Sequence, residues 1–374
     1  MSRKRRRIKK KSIILLFVLI ILLIFIVMLL QNHKPDVVDK NVKDVEKSVN
    51  NNGNDVKKMS LIAVGDVLIH ESVYKDAKTD NGYDFKKMFT MVKPIISKYD
   101  LKYCNQESII GGSALGISGY PAFNSPDEIG DEMVNDLGFN LISLANNHLL
   151  DKGIDAVNYS NSYWKKKNVI TSGSYSSMDE RNDIKVYKQN GIRYAFLAYT
   201  TISNGKVPNN KDYLLNMYSD EQAKKDIDTI KDQVDVIIVS MHWGVEFSNT
   251  PNSEQKKIAE YLSSLGVNII IGSHPHVVQP VEYVNNTLVI YSLGNFISNQ
   301  LSLELNYGIG LMVGVDIVVD KNGVSFDNLY KELILSYSDN SKNFKVIPFS
   351  KLNDNYLSNY KDVENKYLKI VEGN

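Results

Sequence analysis

The 374-residue chain has one cysteine, Cys104, so no internal disulfide can form and its stability has to come from an ordinary apolar core. Acidic residues are missing from the first thirty positions, where Ser2 to Lys11 holds eight Lys/Arg. The remainder then carries 36 Lys/Arg against 43 Asp/Glu, an acidic balance that argues against a broad basic face for nucleic acid. Only six histidines occur, and two of them, His274 and His276, lie within three residues of each other. No internal repeat is evident.

Ile13 to Leu30 supplies eighteen consecutive apolar residues, long enough to span a bilayer. The run ends in LLQNHK, without a small-residue cleavage pattern, and reads as an uncleaved anchor. The basic cluster before it sets the N-terminus in the cytoplasm and the rest outside. Residues 1–12 are thus a cytoplasmic tail, 13–30 a transmembrane helix in the plasma membrane, and 31–58, polar and without aromatics, a flexible linker. The main domain runs over 59–349, followed by a helical extension at 350–374.

Within the domain, apolar runs alternate with amphipathic segments, the pattern of an α/β fold. Five of the runs end in metal-ligand residue types: Asp66, Asn105 with Glu107, Asn147 with His148, His242, and His274 with His276. In open α/β sheets ligands bind beyond the carboxyl ends of the strands, so one cleft can collect all five. Pro275 biases His274 toward an extended conformation, in which residues two apart project to one side and both imidazoles can converge on a cation.

Each residue also has a structural reading. Asp66 can ligate a cation or cap a turn, and Glu107 can bridge two cations or be a solvated loop acid. Asn147 offers an amide oxygen or stabilises a turn; His148 suits general acid/base chemistry or a core position. His242 is a ligand or a histidine bonded to backbone, with Trp243 and Glu246 shaping or supporting the site. His70 faces the ligands or a substrate, and Asn295 binds a ligand or fixes the loop around Gly294.

Quoted together, AVGDVLIH, NQES, SLANNHLLDKG, SMHWGVEF, GSHPHVVQPVE and YSLGNF resemble the CapA (PgsA) family of capsule synthesis proteins, over about residues 60–300. The family is similar to a divergent branch of the calcineurin-like metallophosphatases. The resemblance implies an α/β fold, a four-layer αββα sandwich of metallophosphatase type. It implies Asp66, Glu107, Asn147, His242, His274 and His276 as metal ligands and His148 as the catalytic histidine, with His70, Asn105, Glu246 and Asn295 in supporting or substrate-facing roles. The phosphatase opening D-x-H is D-x-x-x-H here, and G-N-H-[DE] is N-N-H-L.

The implied cofactor is one or more divalent ions, Mn, Zn or Fe. The implied partners are the membrane, other membrane subunits of a capsule or polymer synthase, and an anionic polymer such as poly-γ-glutamate, with no nucleic acid. Three functions compete: a metal-dependent hydrolase or transferase acting in synthesis, export or processing of an envelope polymer, an envelope phosphatase or phosphodiesterase, and a non-catalytic subunit of a polymer synthase.

Overall fold

A computed structural model describes residues 36–37 and 56–374; the basic tail, the expected anchor at 13–30 and most of the spacer lie outside the described residues. Asp36–Val37 is a two-residue strand in a unit of its own. No described helix is long and apolar enough to cross a membrane.

The domain begins with four parallel strands, β1 (Lys57–Val67), β2 (Leu101–Asn105), β3 (Leu141–Ser143) and β4 (Ile170–Ser172), paired in that order. β1 starts at Lys57, two residues inside the stretch read as spacer, because Lys57 and Lys58 continue its ladder opposite Val319 and Val318. A second sheet follows from β5 (Tyr187–Gln189), β6 (Ile192–Thr200), β7 (Val236–His242), β8 (Ile269–Ser273), β9 (Val281–Val284) and β10 (Thr287–Ile290), in the order β5-β6-β7-β8-β10-β9. The β5–β6 hairpin turns on Asn190 and Gly191, whose φ values of 50° and 82° suit a tight turn matched to strand twist.

The chain then returns to the first sheet. β11 (Asn295–Ile297) lies parallel to the end of β1, and β12 (Ile309–Asp320), β13 (Gly323–Asp339) and β14 (Lys342–Pro348) extend the sheet antiparallel from the same edge of β1, opposite β2.

The two sheets meet face to face. On β6, Tyr194, Phe196 and Ala198 join the core shared with the first sheet, whereas Ala195, Leu197 and Tyr199 face the opposite way, the period-two split of a strand buried on both sides. Across the interface the Tyr103 hydroxyl lies 2.7 Å from Ser240 Oγ. Helix α1 (Gly153–Lys167) contributes Ala156, Val157 and Trp164 to the larger core. Helices α2 (Asp220–Ile230) and α3 (Ser253–Ser264) cover the outer face of the second sheet through Ala223, Ile227, Ile258 and Leu262.

The starts of α2 and α3 follow from sequence. Ser219 Oγ accepts from Gln222 N at 3.1 Å, and Asn252 and Gln255 cap each other's backbone in a reciprocal box. The short helix Asp127–Asp131 is preceded by Pro126, and no side chain caps it. A last helix, α4, spans Tyr360–Val371.

Candidate metal centre

The candidate residues come together because the C-terminal ends of β1, β2, β7 and β8 lie side by side. Asp66 is level with Asn105 on β2 and with Asn295 on β11, and His242 is level with Ser273 on β8. Gly65 makes the approach of β11 feasible: a Cβ there would lie 1.8 Å from the Gly294 carbonyl oxygen, which accepts from Asp66 N at 3.0 Å. Gly294 itself has φ +64°.

Glu107 lies at the centre, fully buried, with neither carboxylate oxygen hydrogen-bonded among the described residues. Its Oε1 is 3.6 Å from His276 Nε2 and 3.8 Å from His242 Nε2. Donor atoms of Glu107, His274 and His276 all lie within 4.8 Å of one another. Asn147 Oδ1 is 2.9 Å from His242 Nε2.

Neighbouring ligands on one six-coordinate ion sit about 3 Å apart, so this donor set needs only small closure to embrace a cation. The orphaned buried carboxylate is the observation that fits a metal: without a cation, burying it unpaired is costly. Burial and the Asp66 carboxylate push the Glu107 carboxyl well above the usual range.

The histidines are oriented by the atoms they turn away from this centre. His276 Nδ1 is 3.1 Å from Asn295 Oδ1 and 3.4 Å from Asp66 Oδ2, two acceptors that hold the Nδ1 proton and turn Nε2 toward Glu107. Asn295 is held in turn by donating to Gln300 Oε1 at 2.8 Å and Tyr307 O at 3.0 Å. His242 Nδ1 lies 3.0 Å from Ser273 Oγ.

Asp66 is already partly committed, accepting from Asn105 Nδ2 at 2.8 Å and from His274 N at 3.3 Å. Burial lowers the His274 pKa to about 3, with His276 adding repulsion, and holds His242 well below the usual histidine range. For His276 burial acts downward too, but the Glu107 and Asp66 carboxylates outweigh it and raise the pKa to about 9.

The expected extended conformation of S-H-P-H is corrected by the structure: His274 and His276 have φ values of +95° and +59°. The rings still converge, with centroids 5.9 Å apart, through a strained turn instead of an extended strand. Trp243 is also not at the centre: its Nε1–H donates to the Tyr291 carbonyl in the outer core beneath α2 and α3.

His148 stands beside the cluster. Its backbone N–H donates to Asn146 Oδ1, and Nδ1 lies 2.7 Å from Asp151 Oδ2, which also accepts from Phe123 N. Because a carboxylate oxygen accepts, the imidazole proton resides on Nδ1 and Nε2 is left for chemistry. Asp151 has a sequence signal, three residues after His148 in NNHLLD, yet sequence reasoning gave it no role. Asn204, from the loop after β6, lies 3.5 Å from the Asn147 amide and carried no signal.

Phe123 packs against both His70 and His148, its ring edge-on to His70 at 5.4 Å and to His148 at 4.8 Å. His70 Nδ1 accepts from Asn299 N at 3.2 Å, and burial lowers its pKa to about 4. Glu246 is exposed and acts on Glu107 and His276 through charge.

Among known proteins, the chain is 33% identical over 180 residues to "PGA biosynthesis protein CapA" of Bacillus subtilis (strain 168), which is 45% of each chain. It is 27% identical over 257 residues to "Capsule biosynthesis protein CapA" of Bacillus anthracis, 65% of this chain and 61% of that one. The match therefore spans less than two thirds of either relative. A solved structure of a novel phosphatase from Mycoplasma pneumoniae is 17% identical, covers 75% of this chain and 94% of its own, and has a TM-score of 0.46. A 5'-nucleotidase from Candida albicans SC5314 is 13% identical over 83% of this chain and 57% of its own, with a TM-score of 0.44. Residues 60–300, well over half the chain, match the family described as "Bacterial capsule synthesis protein PGA_cap", and the chain belongs to that family.

Proposed function

We propose that this chain is an extracytoplasmic, membrane-anchored protein that acts on an anionic envelope polymer or its precursor through a divalent-metal site of hydrolase or transferase type. Poly-γ-glutamate is the polymer suggested by the relatives' names. The observation that carries the reading is Glu107, a buried carboxylate without a hydrogen-bond partner, faced by the Nε2 atoms of two oriented histidines.

Glu107, His242, His274, His276 and Asn147 would hold the ion, with Asp66 beside them. A divalent cation supplies positive charge that polarises a phosphoryl or carbonyl oxygen and acidifies water. His148, with its Nδ1 proton held by Asp151, takes or delivers a proton at Nε2. Burial of the cluster excludes bulk water and strengthens these interactions. The His148–Asp151 pair favours catalysis over a purely structural subunit, because positioning one imidazole tautomer is a device for proton transfer.

The apolar run at 13–30 supports anchoring with the domain outside, beside other membrane subunits of a polymer synthase. To test the reading, the full chain is purified in detergent, its metal content measured, and a phosphodiester and a γ-glutamyl polymer offered as substrates. We expect bound Mn, Zn or Fe and turnover of one substrate that His148→Ala abolishes. A metal-free protein that gains no thermal stability from these ions would sink the metal reading. Bound metal with both substrates intact would favour a non-catalytic assembly subunit.

A further inference from the structure

Among the described non-glycine residues, positive φ is confined to asparagines, Ser341 and three bulky side chains: His274, His276 and Phe247. Asparagine enters the left-handed region readily, whereas for a bulky residue it is strained. The three strained residues lie together, for Phe247 N donates at 2.8 Å to the carbonyl of Pro275, between the two histidines. Strain at the histidines is accounted for by the convergence of their rings. Phe247 has no ligand atom to deliver, and a glycine would adopt its φ of +64° without cost.

What the strain secures is the position of an aromatic ring. Phe247 lies 6.0 Å from the His276 ring and stacks on Tyr307 at 4.1 Å. Val245, two residues before Phe247, and Leu303, four before Tyr307, are 54% and 71% exposed. At the His148 end of the cluster Phe123 stands edge-on, with Tyr120 beyond it at 6.4 Å and 77% exposed. Each end of the metal cluster thus adjoins an aromatic pair that reaches solvent.

We infer that Phe247 is a specificity-determining contact of this site, selecting an anionic ligand with a ring next to its metal-binding oxygens over a linear one. The inference rests on the metal-site reading above. Aromatic faces attract planar rings through stacked or edge-on contacts that a short alkyl chain cannot make. A ring-bearing phosphoester, as a precursor of the envelope polymer and not the finished γ-glutamyl chain, is the class of ligand selected.

The test is calorimetric titration of the full-length, Mn-loaded protein with inorganic phosphate, methyl phosphate and phenyl phosphate. We expect phenyl phosphate to bind about tenfold more tightly than methyl phosphate, a ratio that falls to about one in Phe247→Gly and survives in Phe247→Tyr. In metal-free protein, Phe247→Gly should melt above Phe247→Ala, since only glycine relieves the backbone.

Equal binding of the two esters by the wild type, or a ratio retained in Phe247→Gly, overturns the inference while phosphate binding still upholds the metal site. If phosphate does not bind the loaded protein at all, both readings fall. Equal melting of the Gly and Ala variants would refute the strain on which the choice of Phe247 rests.

Discussion

Glu107 Oε1 lies 3.6 Å from His276 Nε2, and no described group donates a hydrogen bond to either oxygen of that carboxylate. The pair is half-satisfied: attraction to an imidazolium offsets part of the burial cost, and the second charge that would complete it is missing from the side chains. Glu107→Gln should therefore weaken Mn or Zn binding by about 10–100-fold or more, while the metal-free protein melts no lower than wild type. Calorimetry and thermal melts with and without metal measure both. A Glu107→Gln protein that binds metal as well as wild type contradicts the assignment.

His276 makes metal uptake depend on pH. Its pKa is raised from the usual 6.5 to about 9, so the metal-free fold gains stability from the bound proton below pH 6.5 and loses that gain as pH rises through 9. A cation has to displace the same proton, so apparent metal affinity should climb about tenfold per unit between pH 6.5 and 9. Proton release on binding, read from titrations in buffers of different ionisation heat, checks this. Flat affinity across the interval would show that His276 binds no metal.

Asp151 should matter to proton transfer and little to metal. With Asp151→Asn, the Nδ1 proton of His148 loses its acceptor, and turnover of whichever of the two offered substrates the protein accepts should fall by about 10²–10⁴. Metal affinity should stay within about threefold, because metal binding is left to other side chains. Combined with His148→Ala, the substitution should cost nothing further, as residues that act as a unit are not additive. An additive loss would separate the two roles.

Gly65→Ala tests the backbone contact that positions Asp66. The added Cβ would meet the Gly294 carbonyl at 1.8 Å, so either β1 or β11 has to move. We expect a loss of about 3 kcal/mol or more, measured by denaturant unfolding, and metal binding lost with it. Gly116→Ala, at a φ of +76° with open space around it, should cost about 1 kcal/mol by backbone strain alone.

The strands of this fold were legible in the sequence because buried parallel strands are short unbroken apolar runs, while their layering was implied by the family resemblance. VDVIIVSM and VNIII fall on β7 and β8 within two residues, and Asn-Gly marked the β5–β6 hairpin. Residues at strand ends were legible for the same reason, since a strand direction is also a statement of where its last side chain goes. What could not be read were backbone states that only tertiary contacts enforce. Pro275 argued for an extended His274, yet hydrogen bonds from His274 N to Asp66 and from Phe247 N to Pro275 O outweigh that local preference. Phe123 and Phe247 left no trace, because an aromatic beside a site has the same composition as one in a core.

The register of β11 on β1 sets Asn295 against Asp66, 229 positions apart along the chain. The candidate ligands are thereby held by the first and the last of the strands that meet at the site, and loops of such span close late. A chain released from the ribosome or the translocation channel in order cannot assemble the ion's full set of neighbours until Asn295 has emerged. Under the proposed metal reading, loading follows folding, in whatever compartment the finished domain occupies, and the ion supply of that compartment decides which cation fills the site.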